Sequence, residues 1–187
     1  MFGTCSRCGA PVRVGGRGRP QRYCSGACRQ AAYRARQLPR ELTSRHRWVR
    51  RRGKRPVTEA GFAASVTSPS TWTTHAAVKS STAGDGTGFV LGDGIGCLDL
   101  DDVIVDGRLD PAAAELLASL PATFTEVSMS GRGLHVFGLL PEGPGRVRTI
   151  DGVRVEVYSR ERFIAVTGSR WEDSPSTLAE LSRALDW

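Results

Sequence analysis

The stretch GFVLGDGIGCLDLDD, residues 88–102, decides the fold class that this sequence predicts. Its two apolar runs, Gly88–Leu91 and Ile95–Leu100, have the length and composition of short strands. The Asp93-Gly94 pair between them is a strong signal for the turn of a β-hairpin. We therefore predict two strands joined by a tight turn and ending in a group of acids.

The acids of this stretch are spaced so that a strand brings them together. Side chains alternate along a strand, so Cys97, Asp99 and Asp101 are predicted to share one face while the intervening leucines enter the core. Two carboxylates at the end of an apolar strand are costly unless a cation lies between them. Oxygen ligands of this kind suit magnesium or manganese, although aspartates that cap a loop would have the same spacing.

The C-terminal half of the sequence completes an α+β pattern. Residues 111–120 (PAAAELLASL) predict a helix that Asp110 caps. Residues 123–140 and 152–168 each predict two strands, and a last helix is predicted to begin at Ser174-Pro175. The predicted fold class is therefore α+β.

Two of these segments carry further candidates for a site. The loop SMSGRG, residues 128–133, offers hydroxyls, backbone amides and Arg132 as a cradle for phosphate, and His135 follows it in the strand. The loop is not a P-loop, because the GK[ST] ending is absent. Glu156 alternates with apolar valines, so we predict that it joins Asp99 and Asp101 as a third carboxylate around two metal ions.

Charge is distributed unevenly along the 187 residues, whose formal net charge is +7. Residues 1–55 hold 15 arginines and one lysine against one acid, a net charge of +15. Residues 56–187 hold nine arginines and one lysine against 18 acids, a net charge of −8. A basic N-terminal region before an acidic remainder indicates a polyanion as partner, most often nucleic acid, unless the arginines are simply solvated.

Four of the five cysteines lie in the first 28 residues, spaced as Cys5-x2-Cys8 and Cys24-x3-Cys28. Two close pairs separated by a loop are the spacing of a tetrahedral zinc site. Ser25 is predicted to cap a helix whose first turn holds Cys28, and a helix N-terminus favours the thiolate that zinc requires. Two disulfides are the alternative, but nothing in the sequence indicates an oxidising compartment.

The segments around the second cysteine pair are rich in arginine and are predicted to contact a phosphate backbone. Such contacts position a nucleic acid and carry little sequence information. Many small zinc modules bind protein instead, so that alternative stays open. The predicted DNA-binding residues are Arg17, Arg19, Arg22, Arg29, Arg34 and Arg36.

These observations predict three regions in the chain. A zinc-binding module with an arginine-rich helix occupies residues 1–40, a basic linker residues 41–55, and the domain that carries the acids residues 56–187. No apolar run approaches the roughly 20 residues of a membrane helix, and the first residues lack the apolar stretch of a secretory signal. We expect a cytoplasmic protein that does not contact a membrane.

The order of the motifs, from about Arg47 to Gly168, is more specific than any one of them. An LDLD strand, the SGRGLH segment, VEVY and then RFIAVTG follow one another, and this series resembles the bifunctional DNA primase/polymerase domain of the archaeo-eukaryotic primase superfamily. The cysteine-rich segment YCSGACRQAAYRAR resembles, less specifically, small zinc modules beside phage replication proteins.

The resemblance implies roles for individual residues. The family's metal-binding acid pair corresponds to Asp99 and Asp101, and its third acid to Glu156. Its phosphate-contacting histidine corresponds to His135, while Arg162 in RFIAVTG is expected to serve phosphate or structure. The implied fold is an α+β primase-type core, an RNA-recognition-like mixed sheet with flanking helices, after the zinc module. The expected nucleotide-binding set is Ser130, Arg132, His135 and Arg162.

The implied activity is template-directed nucleotidyl transfer. A DNA primase, or primase-polymerase, of a phage or plasmid would make primers on single-stranded DNA from NTPs or dNTPs. It would use two Mg²⁺ or Mn²⁺ ions for catalysis and one structural zinc. No helicase motor follows in this sequence, so we expect a separate replicative helicase as partner. The alternatives are a non-catalytic zinc-finger DNA-binding replication factor with a primase-like fold, and a metal-dependent nuclease, which would not need the SGRGLH segment.

Overall fold

The computed structural model describes residues 2–13, 20–34 and 37–185. The chain divides into two compact units, Met1–Gln37 and Leu38–Trp187. Its architecture is mixed α+β, with short helices and several antiparallel sheets.

The smaller unit is built around two short strands and one helix. Strands β1 (Phe2–Thr4) and β2 (Pro11–Arg13) pair antiparallel. Helix α1 spans Gly26–Arg34, and the Ser25 hydroxyl accepts a hydrogen bond from the Cys28 backbone N–H at 3.1 Å. The predicted cap at Ser25 is therefore confirmed, and it fixes Cys28 in the first helical turn.

The larger unit contains three α-helices and eleven strands within the residues that the structure describes. Short 3-10 helices lie at Pro69–Thr71 and Ser182–Leu185. In chain order the elements are α2 (Arg40–Thr43), β3 (Trp48–Arg52), β4 (Arg55–Val57), α3 (His75–Ser80), β5 (Gly86–Val90), β6 (Ile95–Leu100), β7 (Ile104–Val105), β8 (Arg108–Leu109), α4 (Pro111–Ser119), β9 (Thr125–Val127), β10 (Leu134–Leu139), β11 (Arg146–Ile150), β12 (Val153–Tyr158) and β13 (Phe163–Val166).

Two antiparallel sheets organise this unit. The first sheet has the strand order β11-β12-β6-β10-β9, and the second has the order β13-β5-β3-β4. Strand β6, which carries the acids, is the centre of the first sheet, with β12 on one side and β10 on the other. The acids therefore lie in the middle of a sheet, where several strands can contribute side chains to one site.

The two faces of the first sheet enter different parts of the core. Leu98 and Leu100 of β6 pack with α4 residues such as Leu116 in one buried cluster. Cys97 and Phe137 point to the other side and pack with residues of the second sheet, including Trp48 and Phe89, in a second cluster. Alternation along β6 thus fixes which side the polar residues of this strand occupy.

The structure corrects the predicted hairpin within residues 88–102. The chain does turn at Asp93 and Gly94, both of which have positive φ, but β5 and β6 belong to different sheets. Each strand is already paired on both of its edges, β5 with β3 and β13, and β6 with β10 and β12. The turn therefore carries the chain from one sheet to the other.

Residues 41–55, predicted as a linker, are part of the larger unit instead. They include most of α2 and all of β3, and Trp48 is fully buried. The Trp48 indole N–H donates to the Leu42 backbone carbonyl at 3.0 Å. The arginine content of this segment obscured the apolar residues that anchor it, and the unit begins at Leu38 rather than at residue 56.

The predicted C-terminal helix is also corrected. Residues 175–181 run in extended or irregular conformation, and only Ser182–Leu185 form a 3-10 helix. The Leu139 N–H donates to the Ala179 carbonyl, and the Leu181 N–H donates to the Leu139 carbonyl. Because these backbone groups are bonded to the edge of β10, they are not free to form helical hydrogen bonds.

None of the helices in the described ranges is long and apolar enough to cross a membrane.

Candidate active site

Four polar side chains form one row across the first sheet. In the strand register Asp99 of β6 lies directly opposite Glu156 of β12 on one side and His135 of β10 on the other. His135 in turn lies opposite Glu126 of β9. Directly opposite residues in antiparallel strands have Cβ atoms about 5 Å apart, so the four side chains are immediate neighbours.

Two residues of this row, Asp99 and His135, line a cavity of about 470 Å³, whereas Glu156 and Glu126 do not. Asp99, Asp101 and His135 line it from the first sheet, and Ser128–Ser130 line it from the loop after β9. Residues 161–165, at the start of β13, form another wall. The volume is in the range of ordinary small-ligand sites, so the cavity has room for a nucleotide beside the acids.

Asp99 is in an unfavourable setting for a carboxylate. Its side chain is 17% exposed. Burial raises the pKa of this carboxyl, and the charges of Asp101 and Glu156 raise it further, while His135 and Arg162 act in the opposite direction. The His135 Nε2 atom lies 3.8 Å from Asp99 Oδ1, too far for a hydrogen bond. A cation in the cavity would relieve the repulsion among the acids.

Glu156 is held by two neighbours of its own strand. The Tyr158 hydroxyl donates to Glu156 Oε2 at 2.5 Å, and Arg154 Nη2 lies 2.6 Å from Oε1. These interactions, the Tyr158 hydrogen bond above all, lower the pKa of the Glu156 carboxyl. Glu156 therefore stays ionised, and its position at the row is fixed before any ligand arrives.

Glu126 is a site residue that the sequence analysis missed. It is fully buried, and the backbone N–H groups of Thr167 and Gly168 donate to its two carboxylate oxygens at 3.0 and 2.9 Å. His135 Nδ1 lies 3.3 Å from Glu126 Oε1. Because a carboxylate accepts hydrogen bonds, this contact favours the proton on Nδ1 and turns Nε2 toward Asp99. The segment TFTEV, with two threonines beside the glutamate, is typical of a half-exposed strand, so no local signal marks Glu126 as a buried site residue.

The loop after β9 has a fixed conformation. The Ser128 hydroxyl accepts from the Gly133 N–H and is bonded to the Ser130 hydroxyl, while Ser130 accepts from the Arg132 N–H. Gly131 has a φ of 75°, which the turn requires. Ser130 lines the cavity, and its role in nucleotide binding stays a prediction.

The two predicted phosphate-binding arginines are placed differently. Arg162 lines the cavity, and its guanidinium stacks over the Tyr158 ring at 4.4 Å from the ring centroid. Arg132 does not line the cavity; its Nε donates to Asp102 at 2.7 Å, and both side chains are about two-thirds exposed. Arg162 is thus the arginine in reach of a bound ligand, while Arg132 belongs to an exposed ion pair.

The carboxylates of Asp99, Asp101 and Glu156 fit hard cations by their donor chemistry. Asp99 lies directly opposite Glu156 in the sheet, and the charges of Asp101 and Glu156 both raise its pKa, so the three acids are near enough to act on one another. A pair of divalent cations would offset this repulsion.

The four cysteines come together as the sequence predicts. The Sγ atoms of Cys8 and Cys24 lie 3.6 Å apart, those of Cys24 and Cys28 3.4 Å, and those of Cys28 and Cys8 3.7 Å, while Cys5 completes the group. A tetrahedron with Zn–S bonds of about 2.3 Å has edges of about 3.8 Å, close to these separations. All four are free thiols, so the disulfide alternative is not what the structure has.

The cysteine group already favours one thiolate. Hydrogen bonds from backbone N–H groups, first that of Cys24, lower the pKa of Cys5 to about 6. The pKa of Cys24 is raised to about 12, chiefly because its thiol bonds with Cys28. Backbone amides aimed at sulfur are a common feature of zinc-binding turns, since the metal needs deprotonated ligands.

The predicted DNA-binding arginines are only partly within the described residues. Arg22 and Arg29 are exposed, and Arg34 ends helix α1. Arg17, Arg19 and Arg36 lie outside the described residues. Their role in DNA binding stays a prediction.

A comparison with protein families now identifies the class of protein. Residues 24–184 match the family described as bifunctional DNA primase/polymerase, N-terminal. The match covers most of the 187 residues, including Asp99, His135 and Glu156. The chain belongs to this family, and the resemblance inferred from the motifs is confirmed. No curated protein matches the chain.

Proposed function

We propose that this protein is a template-directed nucleotidyl transferase that makes primers on single-stranded DNA. Family membership implies primase/polymerase activity, with a DNA template and nucleotides as substrates. The observation that carries the proposal is the row of Glu156, Asp99 and His135 on three neighbouring strands, beside a cavity of nucleotide size. The order of the motifs also supports a primase-type core for the larger unit.

Asp99, Asp101 and Glu156 are the residues that would hold two Mg²⁺ or Mn²⁺ ions. Such a pair, when bound, would activate the 3′-hydroxyl and neutralise the leaving pyrophosphate. The protein's part is to keep the acids ionised and in place. Glu156 meets this need through Tyr158 and Arg154. Asp99, whose pKa is raised in the free protein, is opposed only in part by His135 and Arg162 and would depend on the bound cations to stay ionised.

The remaining side chains of the cavity would bind the nucleotide. His135 Nε2 faces the space beside Asp99, while Glu126 fixes the imidazole from the other side. Ser130 and Arg162 line the same cavity and would contact phosphate oxygens. Donors placed in advance at the triphosphate stabilise the charge that develops on the leaving group.

The cysteine unit would bind one structural zinc ion and contact the template through its arginines. A zinc ion held by four thiolates supports the fold and takes no part in chemistry. The protein would act in the cytoplasm during phage or plasmid replication, together with a replicative helicase.

The proposal is tested by incubating the full chain with single-stranded DNA, labelled nucleotides, and Mg²⁺ or Mn²⁺. We expect short products that require the template. Asp99→Asn should abolish them, whereas Asp106→Asn, an exposed acid outside the cavity, should not change the yield. Template degradation without synthesis would favour the nuclease. DNA binding with neither activity would favour the non-catalytic factor.

A further inference from the structure

The tip of the β3–β4 hairpin carries several unpaired positive charges, although the part of the chain that follows it is acidic. Arg52, Lys54 and Arg55 are all exposed. None of the three side chains forms an ion pair or hydrogen bond within the described ranges, 2–13, 20–34 and 37–185. Residues 56–187 carry a net charge of −8, so acids are abundant, yet none neutralises this tip.

Two of these charges are in a position that costs stability. Arg52 and Arg55 are directly opposite each other in the antiparallel register. Like charges at opposite positions of two strands repel and destabilise the pair. An anion bound between them would remove this repulsion, so the arrangement favours a negatively charged ligand.

The hairpin tip is held in a fixed conformation by Asp85. One carboxylate oxygen accepts from Arg51 Nη1 at 2.6 Å, and the other accepts from the Gly53 N–H at 2.8 Å. Gly53 has a φ of 56°, as the first central residue of a type II′ turn requires. The charges are therefore presented on a braced turn, which lowers the entropic cost of binding.

The tip also lies at the candidate active site. Gly53 and Lys54 line the same cavity as Asp99 and His135. A second cavity of about 580 Å³ is lined by Arg51 and shares Ser128 and Met129 with the first. The two cavities adjoin at these shared residues, and residues of the hairpin line both, so we call them together the groove.

We propose that the β3–β4 hairpin binds the phosphate backbone of a single-stranded polynucleotide and guides it into this groove. The inference rests on the proposed function and adds a DNA contact within the catalytic unit itself. A nucleotide triphosphate is the less fitting ligand, because Arg52 and Arg55 line neither cavity and lie beyond the space that it would fill. A strand that leaves the groove would pass them.

The test compares two triple variants of the full chain that remove the same charge. One is Arg52→Ala, Lys54→Ala and Arg55→Ala together. The matched control replaces Arg45, Arg108 and Arg183, three exposed arginines that line neither cavity, by Ala. Affinity for a labelled oligo-dT is measured by anisotropy against salt concentration, and affinity for Mg²⁺-dTTP is measured separately. Melting temperatures show that each variant is folded.

We expect the hairpin variant to bind oligo-dT about tenfold more weakly than the parent, and its salt slope to fall by about 2 for three lost phosphate contacts. Lys54→Gln alone should lower the slope by about 0.7. The control variant should change neither affinity. Because Lys54 lines the nucleotide cavity, the nucleotide measurement uses Arg52→Ala with Arg55→Ala alone, and the affinity of this double variant for Mg²⁺-dTTP should not change.

Equal losses in the hairpin variant and the control would overturn the inference, because net charge alone would explain them. Unchanged DNA affinity, or a loss confined to Mg²⁺-dTTP, would also overturn it. If the parent makes no primers but the hairpin variant still loses DNA affinity, the inference stands and the proposed enzymatic function fails.

Discussion

The cysteine group and the acids Asp99, Asp101 and Glu156 are two candidate metal sites whose ligands are arranged differently. The sulfurs of Cys8, Cys24 and Cys28 already lie 3.4–3.7 Å apart, near the edges of a zinc tetrahedron. The carboxylates of Asp99, Asp101 and Glu156 repel one another instead, and the pKa of Asp99 is raised by burial and by its acidic neighbours. One group is arranged for a single ion, and the other is left with unbalanced charge.

This difference reflects what each site has to do. A structural ion is bound once, so thiols that are preorganised by a turn and a helix cap give a closed site. Metal ions that arrive with a substrate need open positions, and acids that repel each other in the free protein leave room for them. The comparison predicts different responses when single residues of the two sites are changed.

The largest effect is expected for Asp99→Asn. The variant loses a central carboxylate of the proposed metal pair, so nucleotidyl transfer should fall by at least about a thousandfold. It also removes an ionised group that burial disfavours, so the metal-free protein should melt at a higher temperature than the parent. Synthesis assays and calorimetry in EDTA check both results. A stable variant with the activity of the parent would show that Asp99 takes no part in nucleotidyl transfer.

Cys8→Ala should remove zinc from the purified protein. Three remaining thiolates leave one position open, so the zinc content measured by mass spectrometry should fall from one ion per chain to a small fraction. Cys97→Ala is the matched control, because this buried thiol belongs to the larger unit and its pKa is raised by burial. Equal zinc content in Cys8→Ala and the parent would exclude the cysteine site.

Glu126→Gln should weaken nucleotide binding about tenfold, because loss of an orienting partner frees the His135 imidazole. The ¹⁵N chemical shifts of His135 report the tautomer, and they should change in this variant. Glu142→Gln is the control, since Glu142 also accepts a backbone N–H, that of Asp93 at 2.7 Å, but is exposed and does not line the cavity. Altered stability with unchanged ¹⁵N shifts would make Glu126 a purely structural residue.

The smallest effect is expected for Tyr158→Phe. Loss of the hydroxyl removes the main interaction that lowers the pKa of Glu156, so this pKa should rise toward its ordinary value. Glu156 still ionises near neutral pH, and activity there should fall by no more than about threefold. As the pH is lowered, the variant should begin to lose activity at a higher pH than the parent. A parental pH profile would show that Tyr158 does not tune Glu156.

Local patterns in the sequence predicted the parts of the molecule that depend on nearby residues. The cysteine spacing and the Ser25 cap predicted the cysteine group, and alternation along β6 and β12 predicted the faces of Asp99 and Glu156. The pairing of β5 and β6 was predicted wrongly, because a turn signal does not say which sheet each strand joins.

Contacts between distant residues account for what the sequence did not predict. Glu126 lies at the row only because β9 pairs with β10 and because Thr167 and Gly168 donate to it from beyond β13. The helix predicted after Ser174 is replaced by extended chain, since Ala179 and Leu181 bond with Leu139. Neither contact has a local signal along the chain.

Binding of Mn²⁺, followed by electron paramagnetic resonance with and without a non-hydrolysable nucleotide, tests the central claim most directly. We predict that the parent protein with nucleotide binds two Mn²⁺ ions per chain in addition to its zinc. Asp99→Asn combined with Glu156→Gln should lose both Mn²⁺ ions and keep the zinc. The same Mn²⁺ stoichiometry and affinity in this variant would contradict the account, because Asp99 and Glu156 would then not be ligands of the metal ions.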